Sequence, residues 1–262
     1  MKKIRIVCVG LCLLLLLGCA VGCGGTANGK MTVSFLPVGK ADAVLVKTPA
    51  GAALIDTGLA ETAGTVKAAL ADAGVEELEL LVLTCAGEEH KGGAAALLDA
   101  VSAKRIVAAR GAGDGLSAEV PDKPLTVSVG EAVFTLFPAA KESYKKVNDG
   151  SLITELTYGE TRMVFAADAA RERIAEYLDG KPAPCDLLKL PDHGEWVPNT
   201  PDLIEALAPK NAVITCGEQS LPTSAATIDL ALAKGNLFFT AYGEVIAETD
   251  GKTLTVTQPD NV

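Results

Sequence analysis

The chain has 262 residues, of which 49% are hydrophobic, and its formal net charge is -10. Its length and apolar content suffice for one sizeable core. An acidic protein repels a phosphate backbone, and no cluster of Lys and Arg in the sequence offers a local exception, so the charge argues against nucleic-acid binding.

The N-terminus has the features of a secretory signal. A positively charged start precedes an apolar run over residues 6–17, which is too short to span a bilayer comfortably. The run ends at Leu-Leu-Gly-Cys19, which resembles the bacterial lipobox, and Cys23 is a second candidate for lipidation. We therefore expect a lipoprotein signal peptide at 1–18, a lipid-anchored tether at 19–30 and an extracytoplasmic protein on the bacterial cell membrane. Removing 1–18 takes away three positive charges and no acids, so the net charge falls from -10 to -13.

Strand and helix patterns alternate along the remaining body, residues 31–262, which we expect to form one domain. Short β-branched or apolar runs predict strands at 31–36, 43–47, 52–55, 78–84, 105–109, 125–127, 132–137, 152–158, 162–166, 186–190, 212–215, 237–240, 245–248 and 253–257. Helical spacing predicts helices at 61–73, 93–101, 169–178, 201–207 and 225–233. Two similar halves of this kind predict an α/β fold in which two sheets pack face to face with helices outside.

Chemistry-bearing side chains follow the ends of the predicted strands. The chain has two histidines, His90 and His193, and each is flanked by acids and glycines. Strand ends at one edge of a layered fold lie close together, so we expect the residues there to converge. They are Asp56, Cys85, Glu89, His90, Asp168 and His193.

Six short segments follow one another along the body in a recognisable order: 33–43 (VSFLPVGKADA), 54–58 (LIDTG), 81–93 (LVLTCAGEEHKGG), 148–152 (NDGSL), 165–169 (FAADA) and 188–194 (LKLPDHG). Their order resembles the metallo-β-lactamase fold, and in particular the extracytoplasmic hydrolase-like domain of ComEC-type competence proteins. The resemblance implies an αββα sandwich with two mixed sheets, and a metal-dependent hydrolase acting on phosphodiesters. It also implies nucleic acid as a partner, which the acidic charge does not favour.

The first metal-binding loop departs from the pattern of such families. It usually reads His-x-(His or Asp)-x-Asp-His and serves two metals, whereas here it reads Cys85-Ala-Gly87-Glu-Glu89-His90. Cys85 can bind zinc as a thiolate, but Gly87 offers no ligand. The resemblance therefore implies that the first of the two metal sites has lost most of its ligands.

The second metal site keeps more of its ligands. The resemblance places Glu89 where Asp is usual, keeps His90, matches Asp168 to the bridging carboxylate and places Asp192-His193 where His-His is usual. We expect at most one zinc or manganese ion, with Asp168 and His193 as catalytic residues. Asp56 and Gly58 form a turn that we expect to support the metal loop.

Two functions remain open. One is a mononuclear metal-dependent hydrolase of a phosphodiester or other small molecule. The other is an inactive lipoprotein that acts as a binding or scaffold module without metal. This hypothesis is favoured by the simultaneous departures from the family pattern at Cys85, Gly87, Asp192 and Leu221, the last of which stands where the family commonly has histidine. Cys85, Cys185 and Cys216 show no spacing that predicts a disulfide.

Overall fold

The computed structural model describes residues 29–259. The expected signal peptide at 1–18, the lipidation candidates Cys19 and Cys23, and all of the tether except Gly29 and Lys30 lie outside the described residues. Among residues 29–259, no helix combines the length and the apolar character needed to cross a bilayer.

The described residues form two seven-stranded sheets and a small two-stranded one. The first sheet has the spatial order β16 (Leu254–Thr257), β15 (Val245–Thr249), β1 (Met31–Phe35), β2 (Val44–Thr48), β3 (Gly51–Ile55), β5 (Leu80–Leu83) and β7 (Ile106–Ala108). The second has the order β14 (Asn236–Phe239), β13 (Asn211–Ile214), β12 (Leu187–Lys189), β11 (Thr161–Phe165), β10 (Ile153–Tyr158), β9 (Ala132–Phe137) and β8 (Leu125–Val129). The small sheet pairs β4 (Glu77–Leu78) with β6 (Ser102–Ala103).

Six α-helices connect these strands in the described part of the chain. They are α1 (Ala63–Asp72), α2 (Glu88–Lys91), α3 (Ala94–Leu98), α4 (Arg171–Asp179), α5 (Thr200–Leu207) and α6 (Ala225–Leu232). Helix α1 buries Val66 and Leu70, one helical turn apart, against the core of the first half. Helix α5 buries Leu203, Ile204 and Leu207 against the core of the second half.

Both sheets are mixed, which confirms the predicted α/β sandwich with two mixed sheets. Within the two large sheets, strands β3, β5 and β7 are parallel, as are β11 to β14, and the other pairs are antiparallel. The carboxyl ends of parallel strands lie at one edge of a sheet, which is where open α/β sheets place ligands. The loops after β3, β5, β11, β12 and β13 therefore deliver the candidate residues.

The core lies between the inner faces of the sheets. In β1 the residues alternate between buried and half-buried, so Met31, Val33 and Phe35 face inward, as a period of two requires. The Phe35 ring stacks on the Phe165 ring of the other sheet, with centroids 5.8 Å apart. Burying one such aromatic side chain contributes about 1.5–3 kcal/mol to folding.

The structure differs from the sequence prediction at the segment 78–84. The predicted single strand is divided between β4 in the small sheet and β5 in the first sheet. Glu79 lies at the break: its N–H donates to the Ala52 carbonyl at 2.8 Å, while its carboxylate accepts a hydrogen bond from Lys104 at 2.7 Å. A polar side chain with a partner outside the main sheet therefore interrupts the apolar run. The expected loop at 85–92 also contains the one-turn helix α2.

Candidate metal site

His90 lies on α2, just beyond the end of β5, and its side chain is fully buried. Its Nδ1–H donates to Asp56 Oδ2 at 2.8 Å. Asp56 also accepts the Thr84 N–H at 2.7 Å and the Thr84 hydroxyl at 2.5 Å. Burial raises the Asp56 pKa, whereas these three donors favour its ionised form. The contacts fix the imidazole so that Nε2 points away from Asp56.

Gly58, in the turn after β3, forms backbone hydrogen bonds to the segments on either side of it, including the one that follows the metal loop. Its backbone has φ of +67°, and a Cβ at this position would lie 2.6 Å from Thr62 Oγ1. Its N–H donates to the Asp42 carbonyl at 2.8 Å, and its carbonyl accepts the Gly93 N–H at 3.0 Å. A residue with a side chain would strain this turn, since both its conformation and the available space suit glycine.

His193 lies in the turn Pro191–Gly194 after β12 and is also buried. Its Nδ1–H donates to the Thr215 carbonyl at 2.9 Å. Asp192 and His193 both have left-handed backbone, with φ of 47° and 52°. Asp56 and Ala167 share this conformation, with φ of 60° and 50°. Four of the seven residues other than glycine that have positive φ within residues 29–259 therefore border the site, and strain of this kind is common at functional sites.

Three ligand atoms meet between the two histidines. Asp168 Oδ1 lies 3.2 Å from His90 Nε2 and 3.4 Å from His193 Nε2. None of these three buried atoms has a hydrogen-bond partner within residues 29–259. The ring centroids are 5.8 Å apart. With both Nδ1 atoms protonated, two imidazole lone pairs and a carboxylate oxygen converge, and a cation bound between them would satisfy all three atoms.

The pKa shifts of His90 and Asp168 reflect their mutual attraction, whereas burial lowers the pKa of His193. His90 is buried, which lowers its pKa, but Asp56 and Asp168 outweigh this and raise the pKa well above its ordinary value. Burial raises the pKa of Asp168, yet His90 and His193 bring it far below its usual range. Two histidines and one carboxylate, each histidine oriented through its other nitrogen, form a donor set that fits zinc.

A buried ion pair borders the three ligands. Lys189 Nζ lies 2.5 Å from Asp42 Oδ2 and donates to the Ala167 carbonyl at 3.0 Å. Asp42 Oδ1 accepts the Thr215 hydroxyl at 2.5 Å, and each oxygen of Asp42 is 3.6 Å from the Nδ1 of one histidine. Attraction from Asp42 and Asp168 raises the pKa of Lys189 against the effect of burial.

The fully buried charges of the site do not balance. Asp42, Asp56 and Asp168 supply three negative charges and Lys189 supplies one positive charge, all with side chains no more than 4% exposed. Binding to a metal requires neutral imidazole, so the ion displaces the proton of His90, and with both histidines neutral the cluster keeps two negative charges. Uncompensated buried charge is costly, and one divalent ion neutralises it.

The other predicted ligands lie outside this group of three. Cys85 is buried, which raises the pKa of its thiol and opposes a thiolate. The Glu89 carboxylate occupies the space beside Gly87, where a Cβ would lie 2.3 Å from Glu89 Oε1. The half-buried Asp192 accepts a hydrogen bond from Asn148 Nδ2 at 3.3 Å. Metal binding by Cys85, Glu89 and Asp192 stays a prediction.

Sequence reasoning missed the roles of Asp42, Lys189, Thr215 and Asn148. Two of these four residues could have been recognised from the sequence. Lys189 is a lone charge in an apolar strand, and Asp42 stands between two alanines in a buried segment. A charge in an apolar run indicates a buried partner. Asn148, whose Nδ2 is also 3.5 Å from Asp168 Oδ2, carried no comparable signal.

Comparison with known proteins identifies the family. Residues 36–218 match the sequence profile of a family described as "Metallo-beta-lactamase superfamily". The chain belongs to this superfamily. ComE operon protein 3 of Bacillus subtilis (strain 168) is 25% identical over 227 residues, covering 72% of this chain and 28% of that protein. The match fits the resemblance to ComEC-type hydrolase-like domains, although the chain spans little more than a quarter of its relative's length.

Solved structures support the fold. The metallo-beta-lactamase fold protein YhfI from Bacillus subtilis has a TM-score of 0.54 and 12% identity, over 87% of this chain and 100% of that chain. The CmlA beta-hydroxylase E377D mutant has a TM-score of 0.57 and 16% identity, over 82% of this chain and 53% of that one. At these identities the likeness concerns architecture alone.

Proposed function

We propose that this domain binds one divalent metal ion through His90, Asp168 and His193 and hydrolyses phosphodiesters. The observation that supports the proposal is the convergence of three buried ligand atoms that have no hydrogen-bond partner among the described residues. With both histidines neutral, the two negative charges that remain in the buried cluster balance one divalent ion.

The chain's own residues prepare the site for such an ion. Asp56 and the Thr215 carbonyl hold the two imidazoles with Nε2 directed at Asp168. The Asn148 amide lies between the Asp168 and Asp192 carboxylates, where it orients both. A bound divalent ion supplies Lewis acidity and makes water a stronger acid. Asp168 and His193 are then catalytic because they hold that ion.

The substrate class rests on the family. The likeness to ComE operon protein 3 and the ComEC-type motif order favour a phosphodiester, and nucleic acid is one polymer of that kind. The sequence also supports an extracytoplasmic protein anchored through lipid on Cys19. Replacing Cys19 with Ala tests the anchor: we expect the protein to leave the membrane fraction, and unchanged fractionation contradicts lipidation at this residue.

The experiment for the catalytic proposal measures hydrolysis of bis(p-nitrophenyl) phosphate by the full chain loaded with zinc or manganese. We expect metal-dependent release of nitrophenolate and at least a roughly hundredfold loss in Asp168→Asn, because this change removes a charged ligand. The matched control is Asp179→Asn, since Asp179 is an exposed acid at the end of α4. Equal activity in wild type and Asp168→Asn contradicts the proposal.

The inactive binding or scaffold module is the second candidate. Two observations favour it: position 87 has no side chain, and Leu221, where the family commonly has histidine, is 39% exposed and offers no proton. A protein that stays folded without metal, whose stability does not change with chelator and which hydrolyses no phosphodiester, supports this alternative.

A further inference from the structure

A cavity of about 230 Å³ lies beside the metal site. It is formed by the segment that follows β7 and the loop that joins β9 to β10. Ala86, which lies between Cys85 and Gly87 in the metal loop, is one of its lining residues. The turn Val147–Gly150 contributes Val147 and Gly150 to the cavity lining. Asn148 in the same turn donates a hydrogen bond to the Asp168 carboxylate. One short segment therefore contacts both the cavity and the metal ligands.

The cavity is cationic in an acidic protein. Arg110, Lys141 and Lys146 line it, and Glu142 is the one acid among its lining residues. Lys141 forms an ion pair with Glu172. Within residues 29–259, no carboxylate lies within ion-pair distance of Arg110 or Lys146. Two cations that are free to bind an anion thus face a concave surface next to the site.

The cations of the cavity come from two segments of the sequence. Lys141, Lys145 and Lys146 lie within six residues of one another beside a single acid, Glu142, and the fold adds Arg110 from a different loop. The cavity also has apolar walls, provided by Val120, Pro121 and the ring of Tyr144. Cations beside an aromatic ring and apolar side chains suit a phosphate attached to a sugar and base.

We propose that this cavity binds a second phosphate group of the substrate, adjacent to the phosphodiester at the metal site. The inference rests on the proposed function and deepens it. Arg110 and Lys146 contact the second phosphate, so the protein prefers an oligonucleotide-like diester with a neighbouring phosphate over a diester that stands alone.

The test compares two ligands that differ by one phosphate. The dinucleotide TpT has one phosphodiester, and pTpT adds a 5′-phosphate. Their affinities for the full chain loaded with zinc are measured by calorimetry, and chromatography after each titration checks that both dinucleotides are intact. We expect pTpT to bind about tenfold more tightly than TpT, as two charge-assisted contacts to phosphate allow. In the variant Arg110→Gln/Lys146→Gln this preference falls close to one.

The control variant Lys67→Gln/Lys252→Gln removes the same charge away from the cavity and keeps the preference. The proposal is overturned if wild type binds the two dinucleotides equally, if it binds neither, or if Arg110→Gln/Lys146→Gln keeps the tenfold difference. Failure of the proposed function is a separate result: bis(p-nitrophenyl) phosphate has a single phosphate, so its hydrolysis tests the metal site without the cavity.

Discussion

Replacing Lys189 with Met tests the buried electrostatics of the site. The substitution keeps the apolar stem and removes the ammonium that lies 2.5 Å from Asp42 Oδ2. Both side chains are at most 4% exposed, so Asp42 loses its buried cation and gains no water. Leaving one partner of a buried ion pair alone costs about 3–5 kcal/mol. For a domain of this size, the melting temperature falls by about 2–4 °C for each kcal/mol, or roughly 6–20 °C in total.

The assay is thermal and urea denaturation of the full chain followed by circular dichroism, with chelator present. Adding Asp42→Asn to Lys189→Met removes the isolated charge, so we expect the double variant to regain at least half of the lost stability. The control is Lys252→Met, an exposed lysine whose replacement changes the free energy of unfolding by less than about 0.5 kcal/mol. A loss below about 1 kcal/mol in Lys189→Met, or additive losses in the double variant, refutes the reasoning.

Three further predictions concern the same region. Asp56→Asn removes the carboxylate that orients His90. We expect the metal affinity, measured in competition with a chelating dye, to fall by about 10–100-fold, and an unchanged affinity contradicts the orienting role of Asp56. Free zinc at 100 times its Kd stabilises the fold by about 2.7 kcal/mol, which raises Tm by roughly 5–11 °C, and we expect His193→Ala to show no such rise. Burial raises the pKa of the free thiols of Cys85, Cys185 and Cys216, and it raises that of Cys185 to about 12. We therefore expect iodoacetamide to modify the three cysteines slowly in the native protein and rapidly after unfolding, as measured for each residue by mass spectrometry. Rapid modification of the native protein argues against this burial.

The fold was predictable because its signals are local. Strand and helix patterns in order, with the acids and histidines at strand ends, are properties of short segments. His90, Asp168 and His193 were predicted together for the same reason, since each follows a recognisable strand. The structure brings their ligand atoms within 4.8 Å of one another.

The remainder of the site depends on contacts between distant segments. The Thr215 hydroxyl and the Asp42 carboxylate that it contacts are 173 residues apart in the chain. The direction of Glu89 is a rotamer choice: its carboxylate fills the space that Gly87 leaves free, which spacing alone does not encode. The cationic cavity likewise combines loops from different parts of the sequence.

The stoichiometry of zinc binding to the full chain tests the central claim most directly. The metal-free protein is titrated with zinc by isothermal titration calorimetry, which counts the ions bound per chain. Plasma mass spectrometry checks the metal content. Because the buried cluster keeps two negative charges and has three convergent ligand atoms, we predict one ion per chain and none in His193→Ala. Two ions per chain, no ion, or one ion retained in His193→Ala contradicts the account.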